Sequence, residues 1–144
     1  MTLLDAYALV ALIADEPAAE EVDAILREGQ ARVLIVNMAE ALDISQRTYG
    51  LARNEVRAAL EPLLLRRVLS RVVSDEPHAW LAADLRAQHY ERRTRALSLA
   101  DCFLIAHALT DGGPIATSDP PLASVAREVD VEVTALPDSA GERP

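Results

Sequence analysis

The chain has 144 residues, 23 of them acidic and 14 basic, for a net charge of −9. Every basic residue is Arg, which excludes a P-loop, Schiff-base chemistry and a Ser-Lys nucleophile. The single Cys, Cys102, excludes an intramolecular disulfide and a multi-Cys zinc site, and the acidic balance argues against holding nucleic acid by bulk positive charge.

A chain this long buries about 68% of its unfolded surface on folding, and 51% of these residues are apolar, so one folded domain is expected. The first basic residue is Arg27, so no positively charged segment of a signal peptide precedes the early apolar run Ala6 to Ala14. That run is also well short of the roughly 18–20 residues a membrane span requires. A cytoplasmic protein with a reduced, buried Cys102 is the expectation.

Short apolar runs alternate with helical patterns. Met1 to Leu4 reads as a buried strand, followed by Asp5 and an apolar helix from Ala6 to Ala14. Pro17 opens a helix to Glu28, with Gly29 in the terminating position. Val33 to Val36 reads as a second strand, continuous and β-branched. Asn37 is expected to cap a helix to about Tyr49, ending at Gly50. Arg53 to about Arg66 is helical by pattern, with Pro62 expected to kink or restart it. Val68 to Val73 reads as a third strand. Glu76 to about Tyr90 reads as a helix with Trp80, Leu81 and Leu85 inward. Ser98 to Asp111 is a further helix closed by Gly112 and Gly113. Ile115 to Thr117 is a fourth strand, Pro120 to Arg127 a short helix, and Val129 to Val133 a fifth strand. The alternation predicts a three-layer α/β/α sandwich on a parallel sheet of about five strands. The domain spans residues 1–136, and residues 137–144 read as a loose polar tail.

Four acids stand apart from the solvated helix faces: Asp5, Glu40, Asp101 and Asp119. Each has a modest explanation. Asp5 and Asp119 have helix-capping positions, and Glu40 and Asp101 follow Asn37 and Ser98 at capping-box spacing. Yet Asp5, Glu40 and Asp119 each follow a predicted strand, and in an open parallel sheet those strand ends share the ligand-binding edge. Four carboxylates meeting there repel one another unless a cation lies between them. With no Lys in the chain and no Arg adjacent to any of the four, a divalent metal is the economical partner. Oxygen ligation favours Mg²⁺ or Mn²⁺ over zinc.

These residues resemble the PIN-domain ribonucleases, and most closely the VapC-type toxins of toxin–antitoxin pairs. The resemblance runs over about residues 1 to 136. Three segments carry it: Leu-Leu-Asp5-Ala-Tyr-Ala-Leu-Val-Ala-Leu with Glu16-Pro17, Asn37-Met-Ala-Glu40-Ala-Leu, and Leu97-Ser-Leu-Ala-Asp101 with Ala-Thr-Ser-Asp119-Pro. It implies that Asp5, Glu40, Asp101 and Asp119 form a catalytic acidic quartet. Asp5 and Asp101 match the most constant metal ligands, and Glu40 and Asp119 match direct or water-mediated ones. Thr117 and Ser118 match a bracing stretch. The resemblance further implies sheet order 3-2-1-4-5, homodimerisation, a small antitoxin partner, and Mg²⁺- or Mn²⁺-dependent hydrolysis of RNA phosphodiester bonds.

Arg92, Arg93 and Arg95 form a basic knot before the Asp101 helix, and Arg47, Arg53 and Arg57 form another near Gly50. Either is a solvated face or a phosphate rim. His78, His89 and His107 have no i,i+4 spacing among themselves, and His107 reads as core or dimer surface. Trp80, Tyr90 and Cys102 read as packing, and Ser98 as a cap. Two other functions compete with the nuclease: a catalytically silent domain that binds RNA or a protein partner, and a phosphatase. An aspartyl-phosphate phosphatase needs DxD after its first strand and a later Lys, and neither is present.

Overall fold

The computed structural model describes residues 1–29 and 31–144. Five parallel strands form one sheet in the order β3-β2-β1-β4-β5. They are β1 (Thr2–Leu4), β2 (Ala31–Leu34), β3 (Leu69–Val72), β4 (Ile115–Thr117) and β5 (Val133–Ala135). Among the described residues seven helices cover the sheet: α1 (Ala6–Ala14), α2 (Ala19–Arg27), α3 (Ile35–Arg47), α4 (Arg53–Leu65), α5 (Glu76–His89), α6 (Leu99–Asp111) and α7 (Pro120–Glu128). The expected layered α/β fold and strand order are both present.

The period-2 geometry of a strand sends neighbouring side chains to opposite faces. Leu4 and Val33 accordingly enter one core with α1, α2 and α4, while Leu3 and Leu34 enter the other with α5, α6 and α7. All four side chains are fully enclosed. A sheet covered on both sides explains why its strands read as continuous apolar runs rather than alternating ones.

Several local expectations are corrected. Ile35 and Val36 are the first residues of α3 and not the end of β2, and both are exposed. A short β-branched run fits strand and helix about equally well by pattern. Asn37 therefore sits inside α3 instead of capping it, fully buried and without a protein partner for its amide. Helix α4 is continuous across Pro62. The ring removes one hydrogen bond on an exposed side of the helix, which the remaining turns tolerate. Trp80 is 68% exposed, because the inward stripe of α5 runs through Ala82 and Leu85. Strand β5 begins only at Val133, because Asp130 takes a left-handed conformation after α7 and delays pairing with Ile115.

The C-terminal residues fold back on the domain. The Arg143 guanidinium donates to both carboxylate oxygens of Glu21, at 2.6 and 3.0 Å, and to the Ala135 carbonyl. Asp138 accepts the Ala140 and Glu142 amides in a tight turn.

Gly113 marks the closest backbone approach. At φ +106, a Cβ there would lie 2.1 Å from the Met1 carbonyl oxygen. Gly112, at φ +76, faces open space. Gly113→Ala should cost roughly 3–4 kcal/mol in urea unfolding, against about 1 for Gly112→Ala. Equal costs would show that strain at φ, and not the Met1 contact, dominates.

Candidate active site

Strand β1 lies where the chain order reverses, with β2 and β3 on one side and β4 and β5 on the other. The carboxyl edge of a parallel sheet opens a crevice at such a point. Asp5 leaves the end of β1, and Asp119 follows the end of β4. Glu40 comes from the second turn of α3, which starts directly at the end of β2, and Asp101 from the first turn of α6.

Three of the four acids do cap helices. Asp5 Oδ1 accepts the Ala8 amide at 2.7 Å, Asp119 Oδ2 accepts the Leu122 amide at 2.9 Å, and Asp101 Oδ2 accepts the Ser98 amide and hydroxyl at 3.0 and 2.6 Å. Each cap engages one carboxylate oxygen and leaves the other available. Glu40 has no such role, since the α3 cap is Leu34, with no side-chain bond. Thr117 ties two acids together. Its Oγ1 accepts the Asp119 amide at 2.9 Å, and its side chain holds the proton affinity of Asp5 down. Ser118 is half-buried beside it.

The electrostatics place the four acids in one neighbourhood. Burial pushes the Asp5 carboxyl up to about 7, opposed by Thr117 and the Ala8 amide and reinforced by Asp101 and Asp119. Glu40 is raised by burial, then by Asp101 and Asp119. Asp101 is raised by burial and by Asp119, against its Ser98 hydrogen bonds. Burial also raises Asp119. Among the described residues no ion pair involves any of the four. The cluster therefore carries uncompensated negative charge in a partly dry crevice, at considerable electrostatic cost.

This donor set fits a hard divalent cation. It offers only oxygen, with at least one free carboxylate oxygen per residue, and nothing cationic competes for them. No three of these carboxylates present oxygens within 4.8 Å of one another. That spacing suits Mg²⁺, which keeps several waters and takes only one or two carboxylates directly. It does not suit a closed four-ligand site.

Among the described residues, the group gathered this tightly is His78, His107 and Asp111. Its geometry is that of a structural network. The two imidazoles stack with centroids 3.7 Å apart and planes 9° from parallel. A metal bonds in the ring plane along the nitrogen lone pair, so stacked rings aim side by side and not at one point. Every ring nitrogen also has a partner: Asp111 and Ser74 for His107, Asp75 and Thr110 for His78. The network fastens α5 to α6, and His107 is core.

Other sequence-level candidates divide. Arg95 is committed to Glu128 through two hydrogen bonds at 2.6 and 3.0 Å, while Arg92 and Arg93 are exposed. Arg47 pairs with Asp43, and Arg57 with Glu61. Cys102 is fully buried with its thiol pushed up to about 11 by burial, so it is no nucleophile. Sequence reasoning missed Tyr7 and Tyr49, which with Glu16 line a cavity beside Asp119. The available signal was Tyr7 itself, a large aromatic two residues beyond Asp5 on an otherwise aliphatic helix.

The sequence matches the PIN domain family model over residues 2–128. The chain belongs to the PIN domain family. No curated protein matches it. Several solved structures share its fold. A toxin–antitoxin complex from Klebsiella pneumoniae superposes with a TM-score of 0.62 at 15% identity, covering 86% of this chain and 91% of that one. FitAcB from Neisseria gonorrhoeae gives 0.58 at 25% identity, covering 92% and 96%. PAE2754 from Pyrobaculum aerophilum gives 0.57 at 21% identity, covering 86% and 83%. No helix among the described residues is long and apolar enough to cross a membrane.

Proposed function

We propose that this chain is a Mg²⁺- or Mn²⁺-dependent endoribonuclease acting as the toxin of a toxin–antitoxin pair, similar to the VapC type. The observation that carries the reading is the uncompensated carboxylate cluster at the switch point of a PIN-family sheet. Asp5 and Asp101 would hold the ion, with Glu40 and Asp119 acting directly or through water. The bound ion would polarise a phosphoryl oxygen and acidify water.

The chain's own residues supply the rest. Ser98 and the α6 cap orient Asp101, and Thr117 fixes Asp5 and Asp119 relative to each other. Glu40, free of any cap, takes the proton of the attacking water on Oε1 or Oε2. Arg92 and Arg93, with Arg95 when released from Glu128, meet flanking phosphates. With a net charge of −9, binding at physiological salt should be weak, and a salt slope near zero would show that those Arg contacts are not made.

The complex described for the Klebsiella structure supports a small antitoxin as partner. A homodimer is the expected assembly, and sedimentation should give twice the chain mass. The direct test uses the chain freed of any partner and a labelled RNA. Cleavage with Mg²⁺ or Mn²⁺, its loss in EDTA, and no hydrolysis of p-nitrophenyl phosphate are expected. A folded, metal-loaded chain that cuts no RNA from a panel of transfer, ribosomal and messenger RNAs would favour a silent binding domain.

A further inference from the structure

A cavity of about 200 Å³ opens beside Asp119 and Ser118, walled by α1, Tyr49 from the turn after α3 and the C-terminal residues Leu136 to Ser139. Its lining is unlike the rest of this aromatic-poor chain. Two of the three tyrosines face it, Tyr7 at 52% and Tyr49 at 39% exposure. The Tyr49 hydroxyl donates to Glu16 Oε1 at 2.5 Å and so clamps that carboxylate at the cavity wall.

The three acids of the lining are not equivalent. Asp138 accepts two amides of its own turn on Oδ1, and Asp119 accepts the Leu122 amide on Oδ2 and belongs to the acidic cluster; of the three only Glu16 is held by another side chain of the lining, Tyr49. Glu16 keeps Oε2 without a protein partner, and Oε1 retains a second lone pair beyond Tyr49. The cavity thus presents two exposed aromatic rings, one oriented carboxylate and a Ser hydroxyl, directly beside the place where a scissile phosphate would sit. Aromatic faces take bases irrespective of sequence, and edge hydrogen bonds discriminate among them. A carboxylate accepts from two adjacent N–H donors and repels carbonyl and ring-nitrogen acceptors. Among the four RNA bases only guanine offers two adjacent donors, N1–H and N2–H, on its Watson–Crick edge.

We infer that this cavity is a nucleobase pocket, in which Tyr7 stacks on the base flanking the scissile phosphate and Glu16, positioned by Tyr49, selects guanine. The inference rests on the nuclease reading for its biological meaning, but its binding test does not.

The probes are four short single-stranded oligonucleotides, 2′-O-methylated throughout against cleavage and differing only in the central base. They are titrated into the full chain in Mg²⁺ and followed by amide NMR shifts and anisotropy. The guanine oligonucleotide should bind about tenfold tighter than the others, with shifts at Tyr7, Glu16 and Ser118. Tyr7→Ala should weaken all four about tenfold, and Tyr7→Phe should restore them. Glu16→Gln, which replaces an acceptor oxygen with an N–H₂ donor, should remove the guanine preference while leaving the other three affinities in place. Equal affinity for all four bases overturns the inference, as does indifference to Tyr7→Ala and Glu16→Gln in variants that melt like the parent chain. So does a pocket that responds only to an Arg-containing peptide, which would make it a protein-partner site. Cleavage mapped in parallel separates the two readings. Guanine-selective binding without RNA cleavage leaves the pocket and removes the nuclease. Metal-dependent cleavage with base-blind binding does the reverse.

Discussion

Asp101→Asn is expected to lower Mg²⁺-dependent RNA cleavage about a hundred- to a thousandfold, the equivalent of several kcal/mol of transition-state stabilisation. The substitution is chosen for what it preserves. An Asn carbonyl oxygen still accepts the Ser98 amide and hydroxyl, so the α6 cap survives. What disappears is one negative charge from a cluster that has no positive neighbour. The metal-free variant should therefore melt higher than the parent, by about 1 kcal/mol or about 3 °C, because repulsion with Asp119 and Asp5 is relieved. A change that stabilises the fold while removing activity separates a catalytic role from a structural one. If the variant retains full Mg²⁺-dependent cleavage in a preparation free of contaminating nuclease, the site assignment is wrong.

Divalent cations should stabilise the protein strongly at about pH 8 and little at about pH 5. All four acids have proton affinities raised in the folded state, Asp5 from 3.8 up to about 7. A raised acid binds more protons folded than unfolded, so its contribution to stability is complete below its unfolded value and is lost as pH rises through the folded one. The metal-free protein should thus lose stability between about pH 4 and pH 8 on account of this cluster. A metal occupies the place of those protons and competes with them. At one hundred times its dissociation constant it adds about 2.7 kcal/mol, or roughly 10 °C in melting temperature. Melting curves with and without Mg²⁺ or Mn²⁺ across this range measure the effect directly. An increment independent of pH would mean that the ion binds elsewhere. In Asp5→Asn both the pH slope and the metal increment should shrink together.

Much of the fold is legible in the sequence. The apolar runs Leu3-Leu4 and Ile115-Ala116-Thr117 read as buried strands because both faces of the sheet are covered, and α1 and α6 were legible from their length and flanking caps. The misreadings cluster where local preference is neutral. Ile35 and Val36 have strand-like side chains in a helical turn, because β2 ends where its neighbours end and the chain must leave the edge. Hydrophobicity alone places Trp80 inward, although it lies off the Ala82–Leu85 stripe. The stacked His78–His107 pair joins residues from two helices, and no spacing rule within one helix can reveal it.

By itself, the order of residues determined the alternating α/β architecture, the acids Asp5, Glu40, Asp101 and Asp119, and the absence of any Lys to neutralise them, since periodicity and composition are local properties. Only the tertiary structure decided that those acids raise one another's proton affinity with no positive partner, and that Glu40, unlike the other three, has no cap to explain it. It alone brought Tyr7, Glu16 and Tyr49 together beside Asp119. Electrostatic repulsion, burial and cavity shape depend on distances between residues remote in the chain, and those distances exist only once the sheet has closed its order around β1.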